Sequence, residues 1–348
     1  MNIGKPIQII FFIILALLIS SFLLLIDHVS PIAGIAELIS SGFLTHYGLM
    51  ATLNDTIPLL IVAVAIIIPF VAKFWNIGGQ GQYIFGSIFA TWIGLELAGS
   101  LPVALLITVA IIFAFIGGAL WAIPPTLMKI YLGTNEIITT LMMNFIAVYF
   151  LDYMTIGPME GALAKITHVP SSAPIPTPDL LPHIGGVSTG IFLALAIAII
   201  IFLLLRYTNF GYELKLIGSS VDAAKYSGAS LRRDLLLSMV LSGGIAGIAG
   251  MIQVFGITTV LLPQVFSDIT TSFGYVGIPV ALVASLNPLI TIVSAFFFSG
   301  ILNGAYAMEI SFGIPIDLVI TIYGLMMFFA VIGVMINLGK IFRRPAAK

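Results

Sequence analysis

The chain has 348 residues, of which 60% are hydrophobic and only 8% are charged, and its mean hydropathy is +1.19. Soluble domains carry about 25% charged residues, so this composition excludes an ordinary soluble protein and predicts an integral membrane protein. Thirteen Lys and Arg against fourteen Asp and Glu leave no basic excess for a nucleic-acid partner. Cysteine is absent and the four histidines show no ligand spacing, so we expect neither disulfides nor a metal site.

Ten apolar runs predict about ten membrane-spanning helices in an all-α, polytopic fold, a single transmembrane domain over 1–348. The first run, 7–26, is longer than the apolar core of a signal peptide, about 7–15 residues. We expect an uncleaved anchor, although Gly34-Ile35-Ala36 is an acceptable cleavage site. The eighth run, 274–286, is short enough to be re-entrant. The other eight lie at 56–72, 81–98, 102–123, 137–156, 189–206, 235–256, 289–307 and 315–336.

The basic residues predict cytoplasmic N- and C-termini, because positive charge on short loops sets the orientation of membrane helices. With ten spans and the N-terminus inside, only Lys165 falls outside. Twelve basic residues then fall at cytoplasmic ends: Lys5, Lys73, Lys129, Arg206, Lys215, Lys225, Arg232, Arg233, Lys340, Arg343, Arg344 and Lys348.

Two connections are long. The extracytoplasmic loop 157–188 holds six prolines, which favours either a stiff connector or a docking surface for an external partner. The segment Ser30–Asn54 resembles an amphipathic piece at the outer interface, and no function is assigned to it. The cytoplasmic loop 207–234 is the most charged stretch of the chain.

The cytoplasmic loop predicts one short helix. Ser219 and Ser220 followed by Asp222 are typical of a helix N-terminus, and Gly228 is typical of its end. Such a loop needs no partner, because the positive-inside pattern explains its charge. A short helix with a small-residue face is, however, also a shape that a partner can hold.

Three motifs point to the same family of proteins: GSSVDAAKYSG at 218–228, NIGGQGQ at 76–82 and NEIITTLMMNFIA at 135–147. They resemble motifs of the permease subunits of ATP-binding-cassette (ABC) importers, in the branch that serves nucleosides and simple sugars. The family patterns read G-x-N-x-x-A-A-x-Y-x-G-I, N-I-G-x-E-G-Q and N-E-V-x-x-T-x-M-L-N-x-I-A. The family often has Glu where Gln80 stands, so a role for a carboxylate there does not carry over.

The resemblance implies a helix over 215–230 that couples to a separate ATPase. Its coupling residues would be Ser219, Asp222, Ala223, Ala224, Tyr226 and Gly228. ATP and Mg²⁺ are expected on that ATPase and no cofactor on this chain, which lacks the G-x-x-x-x-G-K-[ST] phosphate loop. The other implied partners are a second permease, more readily a different one than a copy, an extracytoplasmic solute-binding protein and the lipid bilayer.

Polar groups within the spans are the candidates for a solute pathway. By composition alone the amides at 76–82 fit an interfacial loop, and Asn144 fits interhelical glue as well as a solute contact. The resemblance favours the pathway. The candidates are Asn76, Gln80, Gln82, Thr140, Asn144, Phe273, Tyr275 and Asn303.

The resemblance implies a nucleoside first and a simple sugar second. A neutral polar solute also fits the amide-rich motif at 76–82 and the scarcity of charged residues at the centres of predicted spans. The same scarcity disfavours an ion-coupled secondary carrier, which stays an alternative, as does a permease for branched-chain amino acids. A membrane-embedded enzyme is disfavoured, because no nucleophile, carboxylate pair or metal cluster is evident. The small residues of SGGIAGIAG at 242–250 predict a packing seam, expected against the second permease.

Overall fold

The computed structural model describes residues 4–267 and 272–335, and every one of the ten apolar runs forms a helix there. The helices are α1 (Gly4–Ile26), α2 (Pro31–Ile39), α3 (His46–Val71), α4 (Gly79–Leu97), α5 (Val103–Leu132), α6 (Glu136–Ile156), α7 (Ala162–Thr167), α8 (Gly190–Tyr207), α9 (Asn209–Ser219), α10 (Val221–Tyr226), α11 (Leu231–Gln253), α12 (Pro263–Ser267), α13 (Phe273–Val283), α14 (Pro288–Phe312) and α15 (Ile316–Met335). Two short strands, β1 (His183–Ile184) and β2 (Val187–Ser188), form an antiparallel hairpin. The predicted cytoplasmic ends at Lys340, Arg343, Arg344 and Lys348 lie outside the described residues.

Seven of the described helices are long and apolar enough to cross a membrane: α3, α5, α6, α8, α11 with its π-helical extension Val254–Thr258, α14 and α15. Shorter apolar helices include α13, whose 11 residues span only about 16 Å, against about 30 Å of hydrocarbon. The predicted all-α, polytopic membrane fold is confirmed.

Helix α3 lies at the centre of the bundle. It is apolar on all sides, which is typical of a helix that is buried all round, and every residue from Thr56 to Phe70 is buried. It packs against α8, α11, α13 and α14. It begins at His46, ten residues before the predicted run, because Thr45 caps it by accepting a hydrogen bond from Gly48 N at 3.2 Å. The segment Ser30–Asn54, predicted as an amphipathic piece, contains α2, a π-helical turn and the start of α3.

The glycine seam of α11 packs inside this chain. A Cβ on Gly243 or Gly247 would collide with α5 backbone, at Gly118 and Ala114 respectively, and one on Gly250 would collide with Tyr83 O of α4. These backbones approach so closely because glycine has no side chain. The prediction that the seam faces a second permease is therefore wrong.

The segment 157–188 is folded rather than extended. It contains α7, a 3₁₀ turn and the hairpin, and its backbone bonds to the end of α11 and the residues that follow, as from Leu181 N to Phe255 O at 2.9 Å. Asn54 of α3 holds the hairpin by donating to Gly186 O and accepting from Ser188 N, both at 2.9 Å. We call this side of the bundle the hairpin face.

Two helices occupy the segment 207–234, where one was predicted. Helices α9 and α10 are separated at Ser220, whose extended backbone (φ −158°) ends the first and caps the second. The predicted single helix over 215–230 is thus wrong. The start and end signals of α10 itself are confirmed, with Asp222 in the first turn and Gly228 at φ +85°. We call this side the α9–α10 face.

Candidate solute pathway and coupling helices

The turn between α3 and α4 re-enters the bundle. A Cβ on Gly79, the first residue of α4, would lie 3.4 Å from the side chain of Ile66. Ile66 precedes the end of α3 at Val71 by five residues, about 7.5 Å of helix. The motif 76–82 therefore lies beside the last turns of α3, inside the bundle, and Asn76 is completely buried. Non-helical backbone at such depth must be satisfied by protein or by a wet cavity.

Asn76 and Gln82 satisfy each other across this turn. Asn76 Nδ2 donates to Gln82 Oε1 at 3.0 Å, and Gln82 Nε2 donates back to Asn76 Oδ1 at 3.2 Å. Asn76 also donates to Ser242 Oγ of α11 at 3.1 Å and accepts from Gly78 N at 2.9 Å. Both amides are thus occupied by protein partners.

Helix α6 holds the turn from the other side. Thr140 Oγ1 accepts from Ile77 N at 3.2 Å. Asn144 Nδ2 donates to Ile77 O at 2.9 Å, and Asn144 Oδ1 accepts from Gly81 N at 2.8 Å. Asn144 therefore replaces two backbone partners that helix geometry would otherwise have supplied. This role agrees with the interpretation of Asn144 as a residue that holds helices together.

Gln80 joins α4 to the segment between α11 and α13. Its Nε2 donates to Phe266 O of α12 at 2.6 Å, and its Oε1 accepts from Gly274 N of α13 at 2.9 Å. Gly274 packs directly on Gln80, since a Cβ there would collide with the Gln80 backbone. The side chain of the next residue, Tyr275, lies close to that of Asn144.

A cavity of about 440 Å³ adjoins these contacts, and we call it the Gln80 cavity. Its walls are mostly apolar and aromatic with a few polar groups, as is typical of small-molecule sites. The residues that line it are Gln80, Leu141, Phe145, Val148, Phe266, Ser272 and Tyr275. Sequence reasoning missed the three on α6, although the spacing 141, 145, 148 is that of one helix face.

Of the eight predicted pathway residues, two line the Gln80 cavity: Gln80 and Tyr275. Asn76, Gln82, Thr140 and Asn144 hold the turn behind it. Phe273 is 4% exposed and packs edge-on against Tyr83, with ring centroids 6.3 Å apart.

Asn303 lies elsewhere, in a second cavity of about 410 Å³ that shares no lining residue with the first. We call it the Asn303 cavity. Asn303 Nδ2 donates to Asp55 Oδ2 at 2.8 Å. Asp55 is the tenth residue of α3, about 14 Å from its start. Asp55 is therefore a charged residue inside a long helix, which the predicted run 56–72 left out because α3 begins earlier, and it follows Asn54, which holds the hairpin.

Helix α10 presents a small exposed surface. Asp222 and Ala223 are exposed, and Tyr226 is 95% exposed. Ala224 is 1% exposed and packs inward, so it supports the helix rather than offering a contact. Ser219 belongs to the last turn of α9, where its Oγ donates to Leu216 O at 2.9 Å.

Helix α9 packs directly on the end of α3. A Cβ on Gly218 would collide with Val71 O, the last residue of α3 before the turn that carries Asn76. Lys215 Nζ donates to Leu205 O of α8 at 2.5 Å, and the carboxyl group of Glu213 faces that of Asp234 at the start of α11. Any displacement of α9 therefore acts on three helices at once.

Comparison with known proteins bears on this architecture. Residues 48–331 match the family described as branched-chain amino acid transport system / permease component. The chain belongs to this permease family. Its seven long apolar helices fit a multi-pass protein of the cell membrane.

Several characterised relatives of the permease align over most of its length. The guanosine ABC transporter permease protein NupP of Bacillus subtilis is 29% identical over 315 residues, 89% of each chain. The nucleoside ABC transporter permease protein NupB of Lactococcus lactis is 27% identical over 325 residues, 91% of this chain and 88% of the relative. The glucose ABC transporter permease protein TsgB13 of Haloferax volcanii is 26% identical over 329 residues, 92% of this chain and 85% of the relative. The predicted similarity to the nucleoside and simple-sugar branch of ABC permeases is confirmed.

Proposed function

We propose that the permease carries nucleosides, or simple sugars as the second choice, through a pathway that includes the Gln80 cavity. The observation that carries this proposal is the cavity itself, an apolar and aromatic space whose polar groups are uncharged. Such walls suit a planar, neutral ring, because no charge has to be compensated. The guanosine, nucleoside and glucose permease relatives agree with this chemistry.

We further propose that a separate ATPase contacts α10 and acts through it on α9, which packs against α10. The exposed residues Asp222, Ala223 and Tyr226 would contact the ATPase, and Gly228 would allow the chain to turn back. Motion would then pass through the contact of Gly218 with the end of α3 to the turn held by Asn76. No step of this route needs a cofactor on the permease, and ATP and Mg²⁺ would bind the ATPase.

The remaining partners follow from the orientation. We propose that the α9–α10 face is cytoplasmic, on the basis of the basic residues. The hairpin face would then receive solute from an external binding protein. A second permease, more readily a different chain than a copy, would complete the pore in the bilayer.

Two other functions remain as alternatives. A branched-chain amino-acid permease is favoured by the family description, but the zwitterionic solute would meet no charged group in the described lining of the Gln80 cavity. An ion-coupled carrier is favoured by Asp55, because ionisable residues in spans are typical of such carriers. Dependence on ATP separates the second alternative from the proposal.

The proposal is tested by uptake into proteoliposomes that contain the tagged permease purified with its associated subunits. We expect uptake of labelled guanosine that requires internal ATP and that excess nucleoside inhibits more strongly than glucose or leucine. Tyr275→Phe should raise the half-saturating solute concentration, whereas Ile146→Leu, at an exposed position of α6, should leave it unchanged. Uptake that is insensitive to ATP depletion would contradict the importer, and stronger inhibition by leucine would contradict the solute.

A further inference from the structure

The Asn303 cavity leads to a carboxylate that has no basic partner. Asp55 accepts from Asn303 at 2.8 Å, and no Lys or Arg of the described residues forms an ion pair with it. A carboxylate within a membrane bundle is costly unless an opposite charge or a proton compensates it. The site therefore lacks one positive charge.

Two buried tyrosines of other helices lie within electrostatic range of the same carboxylate. Tyr323 of α15 is 2% exposed and Tyr83 of α4 is 0% exposed, and the Asp55 carboxylate interacts electrostatically with both. Neither hydroxyl has a hydrogen-bond partner within 4–267 and 272–335. Because buried hydroxyls without partners are costly, these oxygens are available as ligands.

A second carboxylate lies in the wall of the cavity, but too far away to share one ion with the first. Glu37 Oε1 accepts from Ser41 Oγ at 2.7 Å and from Ser311 Oγ at 3.2 Å. Ser311 lies eight residues beyond Asn303 on α14, about 12 Å along the axis. Glu37 therefore contributes negative potential near the end of α14, while Asp55 supplies the single formal charge at the inner site.

We propose that Asp55 is the anionic ligand of a monovalent alkali-cation site. Neutral oxygen ligands would come from the hydroxyl groups of Tyr83 and Tyr323 and from the amide of Asn303. An all-oxygen set suits a hard cation, and one carboxylate balances one charge. No group of three His, Cys, Asp or Glu that could hold a transition metal occurs in the described part of the chain. The bound cation would link α3 to α4, α14 and α15, and this does not depend on the proposed transport function.

Thermal unfolding of the purified full-length permease tests the site, with NaCl replaced stepwise by choline chloride at constant ionic strength. Because a cation that binds only the folded state stabilises it, we expect Tm to rise with Na⁺ concentration. Asp55→Asn should abolish this rise, whereas Asp317→Asn should retain it, because Asp317 is exposed at the start of α15. Tyr323→Phe keeps the charge, and it should raise the Na⁺ concentration that gives the half-maximal effect about threefold to tenfold.

Three results would overturn the proposal. The first is a wild-type Tm that is the same in NaCl and choline chloride. If that Tm still responds to pH, the carboxyl group of Asp55 holds a proton instead of a cation. The second is an Asp55→Asn variant with the full Na⁺ response. The third applies if Asp55→Asn does not fold: a Tyr323→Phe variant that titrates with Na⁺ as the wild type does.

Discussion

The Gln80 cavity and the Asn303 cavity differ in what their polar groups contact. Around the first, the amides of Asn76, Gln82 and Asn144 are all bonded to protein atoms, either to one another or to the backbone of the turn and of the start of α4. Around the second, a carboxylate lacks a positive partner and two buried hydroxyls lack any described partner. Polar residues in a membrane bundle thus serve two purposes: they replace lost backbone hydrogen bonds, or they are left available to bind a ligand.

The largest effect on stability should come from Asn144→Leu. This change leaves Ile77 O and Gly81 N without their side-chain partners in a buried site, and it should lower the free energy of unfolding by about 2–5 kcal/mol. Unfolding in mixed detergent micelles measures the loss. Asn303→Leu is the matched change in the other cavity. It should lower the free energy of unfolding by only about 1 kcal/mol, since Asp55, the partner of Asn303, is partly accessible. Equal losses would remove the distinction between the two cavities.

Gln80→Glu should have an intermediate effect. A carboxylate still accepts from Gly274 N but cannot donate to Phe266 O, so we expect a loss of about 1–3 kcal/mol at neutral pH. Protonated Glu regains a donor, so its stability relative to wild type should recover as the pH falls through the pKa of the new carboxyl group. Gln80→Leu, which removes both bonds, should show no such recovery. A Glu variant as stable as the wild type at neutral pH would contradict the anchoring role of the Gln80 Nε2 group.

Tyr275→Phe should change transport more than stability. Its hydroxyl lies close to Asn144 and its side chain lines the Gln80 cavity, so we expect a stability loss of about 1 kcal/mol or less. Solute affinity should weaken about threefold to tenfold, the value of one hydrogen bond. Competition by unlabelled nucleoside in the uptake assay measures it. A stability loss as large as that of Asn144→Leu would show that Tyr275 also serves the turn.

Residue patterns predicted the helices of this bundle well, because a membrane span requires about 20 consecutive apolar residues, which are visible in the sequence. They predicted α10 from Ser220 and Gly228, since both signals act within a few residues of the chain. They failed where the partner is distant in sequence. The contact of Gln80 with Phe266 O joins residues 186 positions apart.

The missed charge has a different cause. Asp55 precedes its apolar run by one residue. It belongs to a long helix only because α3, which Thr45 caps, begins ten residues before that run. The seam of α11 was recognised as a packing surface, but glycine spacing indicates close approach and does not identify the neighbour. Its neighbours, α4 and α5, became evident only from the fold.

The smallest effect on stability should come from α10, and there the effect on function should be complete. Ala223→Glu places a bulky charge on an exposed position, so the free energy of unfolding should change by less than about 0.5 kcal/mol. If the ATPase grips this surface, ATP-driven uptake is abolished although the permease reaches the membrane in normal amounts. Tyr212→Glu on α9 is the matched control, since Tyr212 is also exposed but lies outside the docking surface, and it should transport normally. If both variants transport normally, α10 is an ordinary charged loop. No ATPase contact would then drive the coupling route from Gly218 to the Asn76 turn, while the hydrogen bonds that hold the turn keep their structural role.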